Sequence, residues 1–329
     1  MSANVSNSTN DRTMKTSSTK PMKSPMPGLR RILVPTDFSE LAAQALRYAV
    51  PLARQLGGKI SLLHVLEWPV VPATLGAAMT DEDRITEAAR RKLDELAQAT
   101  VPPGLLDKTH VRTGRAYQDI AEAARGQRMD LIVMATQGRT GLKRALLGST
   151  AERVVRHAAC PVLTVRFPAG ANSPGIKSRS LAPRINRILV PVDLLPRSKA
   201  VVRFAAGLAH TMKARIGLVH VVQPLPINSA RFRAEIRQAD AEAKLEARRN
   251  LKALAALVPP GTKTDELLLQ DVPHRGITEA AHAWQCDLIV LPTRGRTGVE
   301  YIVLGSTAEK VVRHAHCPVL TLGRDYLKS

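Results

Sequence analysis

Along residues 31–165, short apolar runs alternate with longer stretches in which apolar positions return every three or four residues. RILVPTD, at Arg31, has the length and composition of a buried strand. After it, Leu41, Ala42, Ala45, Leu46, Ala49, Leu52, Ala53 and Leu56 keep helical spacing. Ser39 is placed to cap that helix, and Gly57-Gly58 to end it. Pro51 lies inside the pattern and predicts a kink. KISLLHVLE is a second buried strand, and Thr80 to Asp83 reads as a capping box that opens an amphipathic helix to about Gln98. DKTHVRTG predicts a short strand, AYQDIAEAARGQR a helix and DLIVMAT the fourth strand. Ser149 is expected to cap a short helix to His157, and CPVLTV is the last strand. Strands separated by helices imply an α/β fold, a parallel sheet with helices on both faces. Right-handed crossovers make that sheet doubly wound.

The same unit is written twice. RILVPTDFS at Arg31 returns as RILVPVDLL at Arg187, and LGSTAERVVRHAACPVLTV at Leu147 returns as LGSTAEKVVRHAHCPVLTL at Leu304. The second pair differs only at Arg153/Lys310, Ala159/His316 and Val165/Leu322. The offset changes by one residue between the front of the unit and its back, so each copy is a whole domain rather than a solenoid repeat. The expected organisation is a tail (1–28), a first domain (29–167), a Pro-, Gly- and Ser-rich linker (168–185) and a second domain (186–329).

Composition narrows the class without changing this picture. Hydrophobic residues at 44% and charged residues at 23% are those of a globular protein, and no run of 18 apolar residues predicts a membrane span. The polar N-terminus lacks the apolar core of a secretory signal and reads as a disordered basic tail. A transit peptide is the alternative, weakened by the absence of an amphipathic apolar face. Cys160, Cys286 and Cys317 are an odd set that fits free thiols in a reducing cytoplasm. The net charge is +20, of which residues 1–30 and 166–187 carry nine. Such a chain attracts polyanions non-specifically. Aromatics at 3% do not support a stacking platform for single strands, and no helix-turn-helix or zinc-finger pattern is present, so no specific nucleic acid is expected.

In a sheet of order 3-2-1-4-5 a ligand crevice opens between strands 1 and 4, outside their carboxyl ends. Asp37 then follows strand 1, and ATQGRTGLKRALLGST, at Ala135, follows strand 4. Gly138 and Gly148 let backbone N–H groups approach an anion, and Gly148-Ser149-Thr150 opens a helix whose free N–H groups and dipole favour phosphate. Ser149 and Thr150 add hydroxyl donors, Arg139 and Arg144 reach outer phosphates, and Asp37 accepts from a ribose hydroxyl. The plain alternative is a set of turn glycines and a helix cap. Convergence of two distant motifs on one crevice favours the nucleotide.

These residues resemble the universal stress protein family, in tandem. Its nucleotide-binding branch carries an Asp after strand 1 and a Gly-x-x-Gly, nine residues, Gly-Ser/Thr signature, written here as Ala135-Thr-Gln-Gly138, nine residues, Gly148-Ser149. The resemblance implies two Rossmann-like five-stranded domains of order 3-2-1-4-5 and an ATP-type ligand (ATP, ADP or AMP, with Mg²⁺ alongside). By position it implies contacts from Pro35, Thr36, Asp37, Val65, Met134, Ala135, Gly138, Gly148, Ser149 and Thr150, to which Arg139 is added by its reach to the outer phosphates. The second copy offers Pro191, Val192, Asp193, Val221, Gly295, Arg296, Gly305, Ser306 and Thr307. It departs from the pattern, because Pro292 stands where the signature has Gly and removes a backbone donor, and PVDLLP replaces PTDFSE.

No Ser-His-Asp set, HExxH or Walker lysine appears. The expectation is therefore a cytoplasmic sensor or regulator that binds nucleotide without turnover. A weak ATPase and a polyanion- or partner-recruiting protein are the alternatives. His157, Cys160, His314, His316 and Cys317 supply too few ligands per copy for a tetrahedral metal, so no metal is expected. His64 and His220 end apolar strands and are read as structural. The last strand is an apolar sheet edge, so the two copies, or two chains, are expected to pair there.

Overall fold

The computed structural model describes residues 28–67, 82–136, 147–166, 185–224, 233–293, 304–323 and 326–327. In the first half, the strands are β1 (Arg31–Pro35), β2 (Lys59–Leu66), β3 (Leu106–Thr113), β4 (Leu131–Ala135) and β5 (Val162–Val165). The helices between them are α1 (Glu40–Leu56), α2 (Glu82–Thr100), α3 (Ala116–Gly126) and α4 (Ser149–His157). In the second half, the strands are β6 (Arg187–Pro191), β7 (Arg215–Val222), β8 (Thr264–Gln270), β9 (Leu288–Pro292) and β10 (Val319–Leu322). They alternate with α5 (Ser198–Met212), α6 (Arg233–Ala255), α7 (Pro273–Ala283) and α8 (Ser306–His314).

All ten strands form one sheet, ordered β3-β2-β1-β4-β5-β10-β9-β6-β7-β8. Each half has the order 3-2-1-4-5, and pairing within each half is parallel. The halves meet where β5 and β10 pair antiparallel, Leu163 opposite Leu320. The expected pairing of last strands is thus made within one chain. Thr164 Oγ1 donates to the Val319 carbonyl, and Thr321 Oγ1 to the Val162 carbonyl, each at 3.1 Å. The two hydroxyls of the seam are therefore buried with partners. The Arg166 guanidinium also crosses it, to the Arg313 carbonyl.

Period-two alternation in the strands divides the interior into two cores. Ile32 and Val34 face one, and Leu33 faces the other. The first core gathers side chains from α1, α2, α5 and α6, and the second from α3, α4, α7 and α8. Each core runs through both halves, which explains the continuous apolar runs in the strands.

Local signals in the sequence act as caps. Ser39 accepts from the Ala42 N–H at 3.2 Å, and Gly57 closes α1 in the left-handed region with φ 63°. The span of α1 continues through Pro51. Thr80, the proposed start of a capping box, lies outside the described residues. Ser149 is not a cap. Gly148 holds that position and Ser149 is the first helical residue, with no side-chain capping bond. At each half's first strand a carboxylate ties the entering chain to the fourth strand. Asp130 accepts from Arg30 and Arg31 N–H at 3.0 and 2.8 Å, and Asp287 from Asn186 and Arg187 at 2.8 and 2.9 Å.

A shared core makes the halves one folding unit. Leu320→Ala, which empties a buried position at the seam, is expected to cost about 2–5 kcal/mol. Denaturant unfolding should show a single transition, displaced to lower concentration. Two separate transitions in the wild-type protein would mean that the halves fold independently.

Candidate functional site

The carboxyl ends of β1, β2 and β4 enclose a cavity of about 540 Å³. Of the sequence-derived residues, it is lined by Pro35, Thr36, Asp37, Val65, Met134, Ala135, Gly148, Ser149 and Thr150. Gly138, Arg139 and Arg144 lie outside the described residues. The wall also includes residues that sequence reasoning left out, among them Glu67, Ala116 and Ile120. Glu67 follows β2, and its carboxylate accepts the Ala116 N–H at 2.7 Å, capping α3. An acid directly after a strand that feeds this crevice was the signal available for it.

The floor is built by the β1–α1 turn. The Thr36 N–H donates to the Leu63 carbonyl at 2.8 Å, so the turn is fastened to β2. Thr36 Oγ1 accepts the Phe38 N–H at 3.0 Å, and Asp37 Oδ1 accepts the Ser39 N–H at 2.9 Å. These side chains support Phe38 in the left-handed region, at φ 61°, where a bulky residue is uncommon. His64, buried beneath the turn, points Nδ1 at the Thr36 carbonyl at 2.8 Å. A carbonyl only accepts, so Nδ1 carries the proton. The ring packs against Phe38, with centroids 4.3 Å apart, and Lys92 Nζ lies 4.6 Å from the Phe38 centroid. His64 therefore lines the cavity while also holding its floor.

The opposite wall is the start of α4. The Gly148 N–H donates to the Thr136 carbonyl at 2.7 Å, closing the base of the loop between β4 and α4. That N–H is committed to the protein, which corrects the idea that it cradles an anion. Nor does the backbone there need glycine's left-handed freedom, since φ is −61°. The first helical bond is Glu152 N–H to the Gly148 carbonyl at 2.9 Å. The N–H groups of Ser149, Thr150 and Ala151 precede it and have no partner within the helix. Together with the two hydroxyls they give the cavity a donor-rich, positive end opposite the Asp37 carboxylate.

The second half repeats the frame with a cavity of about 330 Å³. It is lined by Pro191, Val192, Asp193, Val221, Gly305, Ser306 and Thr307, while Gly295 and Arg296 lie outside the described residues. His220 repeats His64, with Nδ1 2.8 Å from the Val192 carbonyl, and Leu194 repeats Phe38 at φ 61°. The acid differs. Asp193 Oδ2 accepts Arg197 Nε at 2.9 Å in a two-pronged ion pair, and Oδ1 accepts Ser198 Oγ at 2.8 Å and the Leu195 N–H at 3.1 Å. In the first half the matching positions are Leu41 and Ala42. The sequence difference PVDLLP against PTDFSE pointed here, but the engagement of Asp193 by Arg197 was not read from it.

In the first half, His157 and Cys160 are structural. His157 Nδ1 lies 2.8 Å from the Arg153 carbonyl, and its ring stacks on Tyr117 at 5.5 Å. Burial pushes the Cys160 thiol up to about 12. Among the described residues, no helix is long and apolar enough to cross a membrane.

Comparison with known proteins places this frame. The model of the universal stress protein family matches residues 28–166 and 184–322. The universal stress protein MJ0531 of Methanocaldococcus jannaschii is 32% identical over 142 residues, covering 42% of this chain and 83% of that protein. The Na(+)/H(+) antiporter NhaS5 of Synechocystis is 28% identical over 301 residues, 90% of this chain and 38% of the antiporter. The crystal structure of a universal stress protein from Archaeoglobus fulgidus superposes with a TM-score of 0.61 at 22% identity, covering 89% of this chain and 96% of that one, a likeness of fold. With both halves matched over most of their length, the chain belongs to the universal stress protein family.

Proposed function

We propose that this universal stress protein binds ATP or a related adenine nucleotide in the first cavity and acts as a nucleotide-dependent sensor or regulator in the stress response. The observation that carries the reading is the polarity of one cavity. An acceptor, Asp37, stands at the β1 end, and the hydroxyls of Ser149 and Thr150, with N–H groups that have no partner within the helix, stand at the α4 end. A cavity of about 540 Å³ lies within the range of small-molecule sites, roughly 300–1,000 Å³. The donor set suits phosphate and the acid suits a ribose hydroxyl, with Val65 and Met134 supplying apolar wall for the base. Mg²⁺ accompanies the phosphates in this reading, held by them rather than by a dedicated protein cage. Domain limits of 29–167 and 186–329 accompany the same reading, each domain carrying one site.

The test replaces Ser149 by Asp. An acid in the first turn of a helix favours the helix but repels phosphate, so the variant should fold. Mass spectrometry of the small molecules released on denaturation, together with the melting temperature in added ATP, gives the readout. Adenine nucleotide from wild type, with release and thermal protection both lost in Ser149→Asp, is the expected result. Equal protection of the two proteins by ATP, or none in wild type, would overturn the reading.

The two halves should differ in affinity, because Arg197 competes for the Asp193 carboxylate. Titration calorimetry is expected to show one tight site per chain in wild type, and Arg197→Leu should strengthen the second. Two equal sites in wild type would show that the ion pair does not limit binding.

A further inference from the structure

At the pole of the sheet opposite the nucleotide crevice, the second half assembles a group of side chains that the first half lacks. Cys286 precedes β9 and Cys317 precedes β10, and the parallel pairing of these strands brings the thiols to 3.3 Å. His316 adjoins them, so that its ring nitrogen and both sulfurs lie within 4.8 Å of one another. The Cys286 backbone also adjoins the His316 imidazole. His282, at the end of α7, meets the His316 ring edge-on with centroids 5.4 Å apart. The cysteines are buried while both imidazoles are exposed, so the group is reached from solvent.

The internal duplication supplies a control. Carried back by the same offset, His282, Cys286 and His316 become Arg125, Met129 and Ala159. Only Cys317 has its own kind opposite, in Cys160. Over 19 otherwise nearly identical positions, the one change that creates a ligand is Ala159 to His316, and in space it falls near Cys286, the cysteine that has no counterpart. Met129 and Cys160 show that the same corner packs well without a second thiol or an imidazole.

We propose that Cys286, Cys317 and His316 bind a thiophilic divalent cation of the Zn²⁺ class, with a fourth position open to solvent beside His282. Zinc takes sulfur at about 2.3 Å and imidazole nitrogen at about 2.0–2.1 Å, which places tetrahedral ligands between roughly 3.4 and 3.8 Å apart. The cluster brackets that spacing, so small side-chain rotations complete it. Entry of the cation releases one proton from each thiol to solvent, and two thiolates balance the dication. A neutral centre then sits at the buried end of the two strands.

The test uses the full-length protein, reduced, stripped of metal and free of nucleotide. Co²⁺ is the spectroscopic probe and Zn²⁺ the competitor. The expected result is one Co²⁺ per chain, with thiolate charge-transfer absorption and tetrahedral visible bands, both bleached by one equivalent of Zn²⁺. Cys286→Met and His316→Ala install the first half's own residues and should fold. Each is expected to weaken uptake at least about tenfold, since loss even of a ligand's supporting partner costs about 10–100-fold. Absence of tetrahedral bands in wild type, or undiminished uptake in Cys286→Met, would overturn the proposal. A Cys286–Cys317 disulfide that an added two-electron thiol oxidant such as diamide forms equally fast with and without Zn²⁺ would also overturn it, because a bound cation masks both thiols.

Discussion

Everything in this molecule hangs on the antiparallel register of β5 against β10. A five-stranded parallel domain of order 3-2-1-4-5 ends on an apolar strand with one row of unpaired backbone groups, an arrangement prone to pairing with another chain. Here two such edges satisfy each other, and Thr164 and Thr321 reach across to opposing carbonyls. Because the pairing is antiparallel, the halves are related by an approximate twofold through the seam, and each core continues from one half into the other. A linker alone would hold two domains near each other. The shared sheet adds backbone pairing and common cores to that link.

The seam fixes the scaffold, and the scaffold leaves the two crevices free to diverge. In both halves a histidine supports the turn after the first strand, and in both the residue after the acid is held at φ 61°. These parts are frame, and both halves keep them. The acid itself is not bound to the frame in the same way. Asp193 is drawn into an ion pair with Arg197, the residue before α5, whereas the matching position beside Asp37 is Leu41. An ion pair this close stabilises the helix start and competes with any ligand hydroxyl. The second crevice is also the smaller one.

Fold and duplication were legible in the sequence because both are carried by local patterns. Apolar strands, Ser39 and Gly57 declare elements, and repeated motifs at a near-constant offset declare two copies. The site was legible only in outline. That Asp37 and Ser149 share a cavity follows from topology, but the commitment of the Gly148 N–H to Thr136 depends on where the β4–α4 loop closes, and the motif spacing does not encode that. Glu67 was passed over because an acid after a strand reads as an ordinary end of an apolar run. Arg197 was passed over because an i,i+4 ion pair looks like helix decoration until the acid is known to line a cavity. Cys286 is the clearest case. Its partners lie some thirty residues on, and only the parallel neighbours β9 and β10 bring it to them.

Duplication explains why these departures sit where they do. A fold that needs two copies to close its sheet does not need two copies of every surface. The crevice at the carboxyl ends of the strands and the corners before β9 and β10 differ between the halves while the packing is kept, Cys286 and Cys317 filling the second core as Met129 and Cys160 do. The first half has Leu41 where the second has Arg197, and a donor-rich helix start at one pole. The second half seals its acid with an arginine and gathers two thiols and an imidazole at the other. The halves are joined through β5 and β10, and Cys317 stands two residues before β10, so that corner adjoins the strand that completes the sheet.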